Sequence, residues 1–341
     1  MPASLLQIQN DDPESFAPLI GIARLAAQGE SLRQGHDVEY FTLPARALLN
    51  RCVSKRKLPF TWTINPYRGC EFGCKYCYAR YTHEFMEMRD GLDFERKIYV
   101  KQQTAWLLRH DLKRVKRGEQ IAIGTATDPY QPAEKRFEIT RSILQEIAQH
   151  RGLELGIVTK SDLVVRDIEL LREVAKHNNL YINLTITTLN TKLARILEPR
   201  APRPDLRLQA LTKLTKAGLN AGVICAPVLP GITDSPAALD KLVHATREAG
   251  GRYIYANPLF LKPCSATIFL PFLEKEFPDL VADYRKRYAE HAFVSKAYSK
   301  RLSTLMAALR KKHGITKQVT DRGTVSAEYC AEDVQLALFA K

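Results

Sequence analysis

The chain has 341 residues, of which 45% are hydrophobic and 26% charged. This balance is that of a globular protein, and it excludes collagenous, coiled-coil and low-complexity classes. The length allows a sizeable core in one large domain or two modest ones. Fifty-one lysines and arginines outnumber thirty-seven aspartates and glutamates, for a formal charge of +14. The excess is uneven: residues 1–43 carry a net −4, residues 44–117 a net +10, and the remainder a net +8. Such an excess fits either a solvated surface or a polyanionic partner such as DNA, RNA or a phosphorylated metabolite. No run of about 18 apolar residues exists, so no membrane span is expected. Asp11, Asp12 and Glu14 stand where a secretory signal would keep an apolar stretch, so an intracellular, cytoplasmic location is expected.

The first sixty residues read as an N-terminal extension, with a short strand over 38–43, a helix over 44–52 and the basic run Lys55-Arg56-Lys57. A rhythm then begins. Short apolar or β-branched runs fall at 61–64, 120–125, 153–159, 180–187, 220–226 and 252–256, and each predicts a strand. Stretches of helical character separate them at 101–116, 138–149, 162–177, 204–217 and 235–249. The last of these follows the cap residues Asp234 and Ser235, with Pro236 suited to the first turn. Strands alternating with helices in this way predict βαβ units and a parallel sheet. In the run 180–187, Asn183, Thr185 and Thr187 alternate with Ile182, Leu184 and Ile186. A parallel strand of an open sheet is apolar on both faces, so a polar face points to a barrel strand lining a lumen. The plain alternative is a partly exposed edge strand. Six strands are too few for a full eight-stranded barrel, and an α/β partial (β/α)6 barrel with an open side follows. Residues after 270 read as helical, with basic runs at Arg285-Lys286-Arg287 and Arg310-Lys311-Lys312. The expected organisation is an extension over 1–59, the partial barrel over 60–265 and a C-terminal helical cap over 266–341.

The seven cysteines are Cys52, Cys70, Cys74, Cys77, Cys225, Cys264 and Cys330. Their odd and small number argues against a disulfide scaffold. Three of them share the stretch Asn65-Pro66-Tyr67-Arg68-Gly69-Cys70-Glu71-Phe72-Gly73-Cys74-Lys75-Tyr76-Cys77-Tyr78, a C-x3-C-x2-C spacing. Thiolates select zinc, copper(I) or iron–sulfur clusters. A structural zinc site closes with four protein ligands, usually in two separated pairs. No second C-x-x-C lies downstream, so zinc would have to recruit Cys52 or His83. A redox reading of Cys74 and Cys77 leaves Cys70 without a role, and a purely structural, non-catalytic metal site is a further reading. A [4Fe–4S] cluster held by three cysteines keeps one iron open for chemistry. Gly69 and Gly73 let the loop wrap closely.

A C-x3-C-x-aromatic-C stretch after the first strand of a six-unit α/β chain resembles the radical S-adenosylmethionine (SAM) superfamily over roughly residues 60–260. More narrowly, the chain is similar to the spore photoproduct lyase-like branch. The supporting stretches are Cys77-Tyr78, Gly124-Thr125-Ala126-Thr127-Asp128, Val158-Thr159-Lys160, Leu184-Thr185-Ile186-Thr187 and Cys225-Ala226-Pro227. The runs Asn65-Pro66-Tyr67-Arg68-Gly69 and Thr127-Asp128-Pro129-Tyr130-Gln131-Pro132 look typical of a bacterial subgroup related to the lyases. The resemblance implies that Cys70, Cys74 and Cys77 hold a [4Fe–4S] cluster whose open iron binds SAM. Electron transfer from the cluster then cleaves SAM to methionine and a 5′-deoxyadenosyl radical that abstracts hydrogen from substrate. It implies that Tyr76 lies against the adenine, or else simply packs. Thr127 and Asp128 would meet the methionine part or ribose. Lys160 would pair with the SAM carboxylate, its plain alternative being a surface lysine. Thr185 would supply a hydroxyl, and Ala226 and Pro227 backbone beside the adenine. All of these lie at C-terminal strand ends, where barrel enzymes place their sites.

One departure stands out. The lyases carry a cysteine after the second strand that returns a hydrogen atom to the product radical, and this chain has Thr125 there. A threonine O–H bond is too strong for that task. Tyr78 or Cys225 could donate instead, although a buried cysteine also serves as a small hydrophobe. The expected function is therefore radical SAM chemistry on a nucleic acid, in repair or modification, without true photoproduct lyase activity. The alternative is a peptide or small-metabolite substrate. A flavodoxin or ferredoxin is the expected electron donor, and the basic segment suits an acidic partner of that kind.

Overall fold

Six parallel strands organise the molecule in the computed structural model, which describes residues 19–35, 37–52 and 59–315. The run Lys55-Arg56-Lys57, Cys330 and the end of the expected cap lie outside the described residues. In chain order the strands are Trp62–Ile64, Gln120–Ile123, Glu154–Thr159, Asn179–Thr185, Ala221–Val228 and Ile254–Pro258. Each pairs with the next in that order. The register runs Trp62 to Ile121, Ile121 to Leu155, Leu155 to Leu180, Ile182 to Ala221 and Val223 to Ile254. The helices between them are Thr104–Asp111, Ile139–Ile147, Ile168–His177, Pro204–Lys216 and Pro236–Glu248. This is the expected mixed α/β architecture with one strand and one helix per unit.

The helices cover one face of the sheet. Ile157, Ile182, Leu184 and Val223 point into that layer and meet Ile143, Leu144, Val174, Leu211 and Val243 in one continuous buried core. The strand Asn179–Thr185 has a partner on each side, so it is not an edge. Its polar residues Asn183 and Thr185 face the other way, into the lumen. The period-2 pattern therefore separates a helix-facing set from a lumen-facing set. Ser235 caps the helix Pro236–Glu248, its hydroxyl accepting from the Ala238 N–H at 3.3 Å.

The segment before residue 60 departs from expectation. Val38–Leu43 is the strand read from the sequence, but 44–52 forms no helix. Leu49–Arg51 adds an antiparallel edge strand to Trp62–Ile64. The backbone settles there because partners are available: the Asp111 carboxylate accepts the N–H groups of Leu48 at 2.8 Å and Leu49 at 2.9 Å. A second, four-stranded sheet was not anticipated. It contains Ser31–Gly35, Val38–Leu43, Lys97–Lys101 and Tyr67–Arg68 in that spatial order. It sits beside the loop that follows Arg68, so it braces the cysteine stretch. Beyond the barrel, Pro263–Glu276, Val281–Arg287 and Lys296–His313 are helical. The last of these buries Tyr298, Leu302, Met306 and Leu309 in the main core. Among the described residues no helix is long and apolar enough to cross a membrane.

Adjacent residues on one strand should respond oppositely to truncation. Leu184→Ala removes a fully buried side chain on the helix side and is expected to cost about 2–5 kcal/mol. Thr185→Ala loses one lumen hydroxyl and should cost about 1 kcal/mol or less. Urea unfolding of both variants checks this, and a larger cost at Thr185 than at Leu184 would mean that the strand presents the opposite faces.

Candidate active site

The cysteine loop begins where Tyr67–Arg68 leaves its ladder with Lys97–Lys101. Gly69 takes φ +84°, and a Cβ there would lie 2.7 Å from the Lys97 carbonyl oxygen and 2.9 Å from that of Phe94. Gly73 takes φ +62° and would collide with the Glu95 carboxylate at 2.9 Å. Only glycine fits both positions. The loop is held by groups far away in sequence. The Cys70 N–H donates to the Phe94 carbonyl at 2.9 Å. Gln131, fully buried, donates from Nε2 to the Gly69 carbonyl at 3.1 Å and accepts the Glu71 N–H through Oε1 at 2.9 Å. The Thr127 hydroxyl donates to the same Gly69 carbonyl at 2.6 Å. Glu71 in turn accepts from the Ala133 N–H at 2.7 Å and the Tyr40 hydroxyl at 2.9 Å. Arg80 donates to the Cys74 carbonyl at 3.0 Å and pairs with Glu95 at 2.9 Å.

Cys70, Cys74 and Cys77 line one cavity of about 410 Å³ that runs from the loop into the barrel lumen. Burial pushes all three thiols up, Cys74 to about 12. Left alone they stay protonated, and a bound metal centre is what turns such thiols into thiolate ligands. Among the described residues no three cysteine, histidine or carboxylate groups converge on a single metal ion. Three thiols on one cavity wall suit the three cysteine ligands of a [4Fe–4S] cluster that keeps one iron open. His83 does not line that cavity, and its Nε2 is bonded to the Lys97 carbonyl at 2.9 Å.

Eleven of the twelve residues given a role from the sequence line this cavity: the three cysteines, Tyr76, Tyr78, Thr127, Asp128, Lys160, Thr185, Ala226 and Pro227. Cys225 does not. Strand alternation sends Ile224 and Ala226 to the lumen and turns Cys225 into the helix-side core, where it is fully buried with Sγ 3.8 Å from the Thr187 carbonyl. It is a packing residue, and its candidacy as a hydrogen donor falls with that orientation. Asp128 lines the cavity but its oxygens are engaged. Oδ1 accepts from the Thr159 hydroxyl at 2.6 Å and the Tyr130 N–H at 2.9 Å, and Oδ2 accepts the Lys160 N–H at 2.7 Å. Asp128 thereby ties the end of the second barrel strand to the end of the third. The Tyr78 hydroxyl donates to the backbone carbonyl of Thr125, and its ring packs edge-on against Phe260 at 6.2 Å.

Several residues of the site were not singled out. Glu198 and Arg207 form an ion pair with side chains 2% and 1% exposed. Glu198 also accepts from the Tyr76 hydroxyl and, at 3.1 Å, from that of Thr187. The Lys160 ammonium stands 5.7 Å from the Tyr76 ring centroid. Burial alone would lower that ammonium, but Cys74, once it is a thiolate, and the Glu198 carboxylate outweigh it and hold Lys160 above its ordinary value. Gln131 and Glu71 belong to the same missed group. A glutamate and an arginine nine residues apart carry no sequence signal of pairing. Gln131 was at least flagged by the run Thr127–Pro132.

The profile of the family described as "Radical SAM superfamily" matches residues 64–243. An uncharacterized protein of Mycobacterium tuberculosis is 33% identical over 306 residues, which span 89% of this chain and 90% of that protein. Another, from Methanocaldococcus jannaschii, is 29% identical over 228 residues, 67% of this chain and 81% of that protein. Among solved structures, a variant of spore photoproduct lyase with bound AdoMet and dinucleoside spore photoproduct aligns with a TM-score of 0.61. The alignment covers 82% of each chain at 16% identity, a likeness of fold.

The pair beneath Tyr76 makes a measurable demand on stability. Burial pushes the Glu198 carboxyl up, but the charges of Arg207 and Lys160 outweigh that and hold it below the ordinary carboxylate range. Its contribution is therefore complete above that range and is lost as pH falls through the folded value. Glu198→Ala leaves Arg207 buried and unpaired, and should cost about 3–5 kcal/mol at neutral pH. The deficit relative to wild type should shrink in acid. Denaturant unfolding at neutral and acidic pH checks both, and a deficit that is small or constant with pH would contradict the pairing.

Proposed function

Since the chain belongs to the radical SAM superfamily, we propose that it is an enzyme that draws a nucleic acid or nucleotide into the cavity lined by its three clustered cysteines. The observation that carries the enzymatic reading is that one cavity holds both the cysteine loop and the ends of the later barrel strands. When bound, a reduced [4Fe–4S] cluster supplies the electron that cleaves SAM to a 5′-deoxyadenosyl radical able to take hydrogen from substrate. Cys70, Cys74 and Cys77 would hold that cluster. Lys160 would meet the SAM carboxylate, with an ammonium kept charged by its surroundings, in a site where such a contact is strong. Asp128 and Thr127 act one step back, Asp128 by fixing the Lys160 backbone and Thr127 by fixing Gly69. Tyr76, Thr185 and the backbone of Ala226 and Pro227 would flank the rest of SAM.

The net charge of +10 over residues 44–117, which include the cysteine loop, supports a polyanionic substrate. So does the fold shared with spore photoproduct lyase, solved with a dinucleoside photoproduct. Photoproduct repair itself is not the proposed reaction. Thr125 occupies the place of the lyases' hydrogen-donating cysteine, and its hydroxyl cannot do that work. The Tyr78 hydroxyl, bonded to the Thr125 carbonyl at the cavity, is the group proposed to return a hydrogen atom. Enzymes of this superfamily need a reductant, and a flavodoxin or ferredoxin is proposed for that part, its acidic surface matching the basic segment.

Anaerobically reconstituted protein should carry one [4Fe–4S] cluster and release 5′-deoxyadenosine from SAM when reduced. Cys70→Ala, Cys74→Ala and Cys77→Ala should lose both. Lys160→Ala should keep the cluster and weaken SAM binding by roughly ten- to a hundredfold, the value of one charge-assisted contact of about 1.5–3 kcal/mol. Iron and sulfide analysis with SAM titration checks this; stoichiometric zinc without iron would sink it.

The wild type should not repair a dinucleotide spore photoproduct efficiently. Thr125→Cys should improve clean turnover if the cavity accepts that substrate. Chromatographic separation of repaired and abortive products reads the comparison, and rapid clean repair by the wild type would restore the plain lyase assignment.

A further inference from the structure

Two cations of the cavity have no part in the scheme above. Arg68 belongs to the run Asn65–Gly69, and it opposes Tyr99 across the ladder between Tyr67–Arg68 and Lys97–Lys101. Lys101 stands two residues beyond Tyr99, so both side chains leave the same face of the second sheet as diagonal neighbours. Both line the cavity. Lys101 is 6% exposed, and among the described residues its ammonium has neither an ion pair nor a hydrogen-bond acceptor. Arg68 reaches a single acceptor, the Thr82 carbonyl, at 3.4 Å from Nη1, and its buried Nε has none. The carboxylate whose charge is felt at Lys101 is that of Asp111. It is spent on the N–H groups of Leu48 and Leu49 and on Arg114 at 2.7 Å.

Two like charges in a low-dielectric cavity destabilise each other. Burial, and then the charge of Arg68 beside it, push the Lys101 ammonium down to about 7. An anion between them would relieve both effects. A planar guanidinium fork beside a compact ammonium suits phosphate, whose two non-bridging oxygens can each face a cation. We propose that Arg68 and Lys101 form a subsite for a phosphate group of the substrate, on a different sheet from Lys160 and apart from the SAM-binding strand ends. The proposal rests on the reading that substrate enters this cavity, and it names the part of the substrate that is gripped.

The test uses reconstituted protein with SAM and three probes: inorganic phosphate, a thymidine dinucleotide with its natural phosphodiester, and the same dinucleotide with a neutral methylphosphonate link. Inorganic phosphate should bind the wild type with a Kd of about 1–10 mM, the strength of a small isolated anion contact. Arg68→Gln and Lys101→Met should each weaken it about tenfold, and Lys101→Arg should keep most of it. The phosphodiester probe should follow the same order, while the methylphosphonate probe should stay within about twofold. Thermal melts establish that the variants fold, and Arg68→Gln carries the comparison if Lys101→Met does not. Phosphate that fails to bind the wild type, or binds both variants equally well, overturns the subsite. Phosphate binding lost in the variants while neither dinucleotide binds the wild type upholds the subsite and overturns the nucleic-acid reading instead.

Discussion

A loop that leaves its sheet to carry three thiols across the open end of a barrel has no ladder to satisfy its own backbone. Buried N–H and C=O groups without partners cost about 1–3 kcal/mol each, so partners have to come from elsewhere. In this chain one side-chain amide supplies two of them. Gln131 donates to the Gly69 carbonyl and accepts the Glu71 N–H, so the segment after the second barrel strand clamps the segment after the first. Thr127 adds a second donor to the same carbonyl, and the Glu71 side chain returns the contact through the Ala133 N–H. The left-handed turns at Gly69 and Gly73 then fit against Phe94, Glu95 and Lys97 with no room for a side chain. The positions of the three thiols follow from that clamp.

Beneath the loop the same problem is solved with charge. Glu198 with Arg207 and Arg80 with Glu95 are buried pairs. Each is costly to break and less valuable as a source of net stability than its geometry suggests, because both ions give up water. What the pairs contribute is direction. Glu198 fixes the Tyr76 hydroxyl, and Arg80 fixes the Cys74 carbonyl. Together they present Tyr76 and the cysteine loop to Lys160 in a single arrangement. The cations Arg68 and Lys101 differ in kind, since the protein leaves them facing the cavity without a carboxylate of their own.

Much of this was legible in the sequence because it depends on short-range period and spacing. Alternation along 180–187 separated Leu184 from Thr185 correctly, since a strand sends neighbours to opposite faces whatever surrounds it. The C-x3-C-x2-C spacing with its glycines already brought three thiols to one cavity, because three thiols within eight residues cannot lie far apart. The order of βαβ units gave the parallel sheet for the same local reason. Other features were decided only by chain folding. Leu49–Arg51 became a strand instead of a helix because the first barrel strand and Asp111 offered hydrogen bonds there. Cys225 looked like a hydrogen donor by its place near a strand end, yet the register turned its sulfur into the core. Gln131 reaches Gly69 across sixty-two positions, and Glu198 meets Tyr76 across a hundred and twenty-two. A polar side chain shows its residue type in the sequence but not its partner, and the partner is what makes Asp128 a brace and Glu198 an anchor.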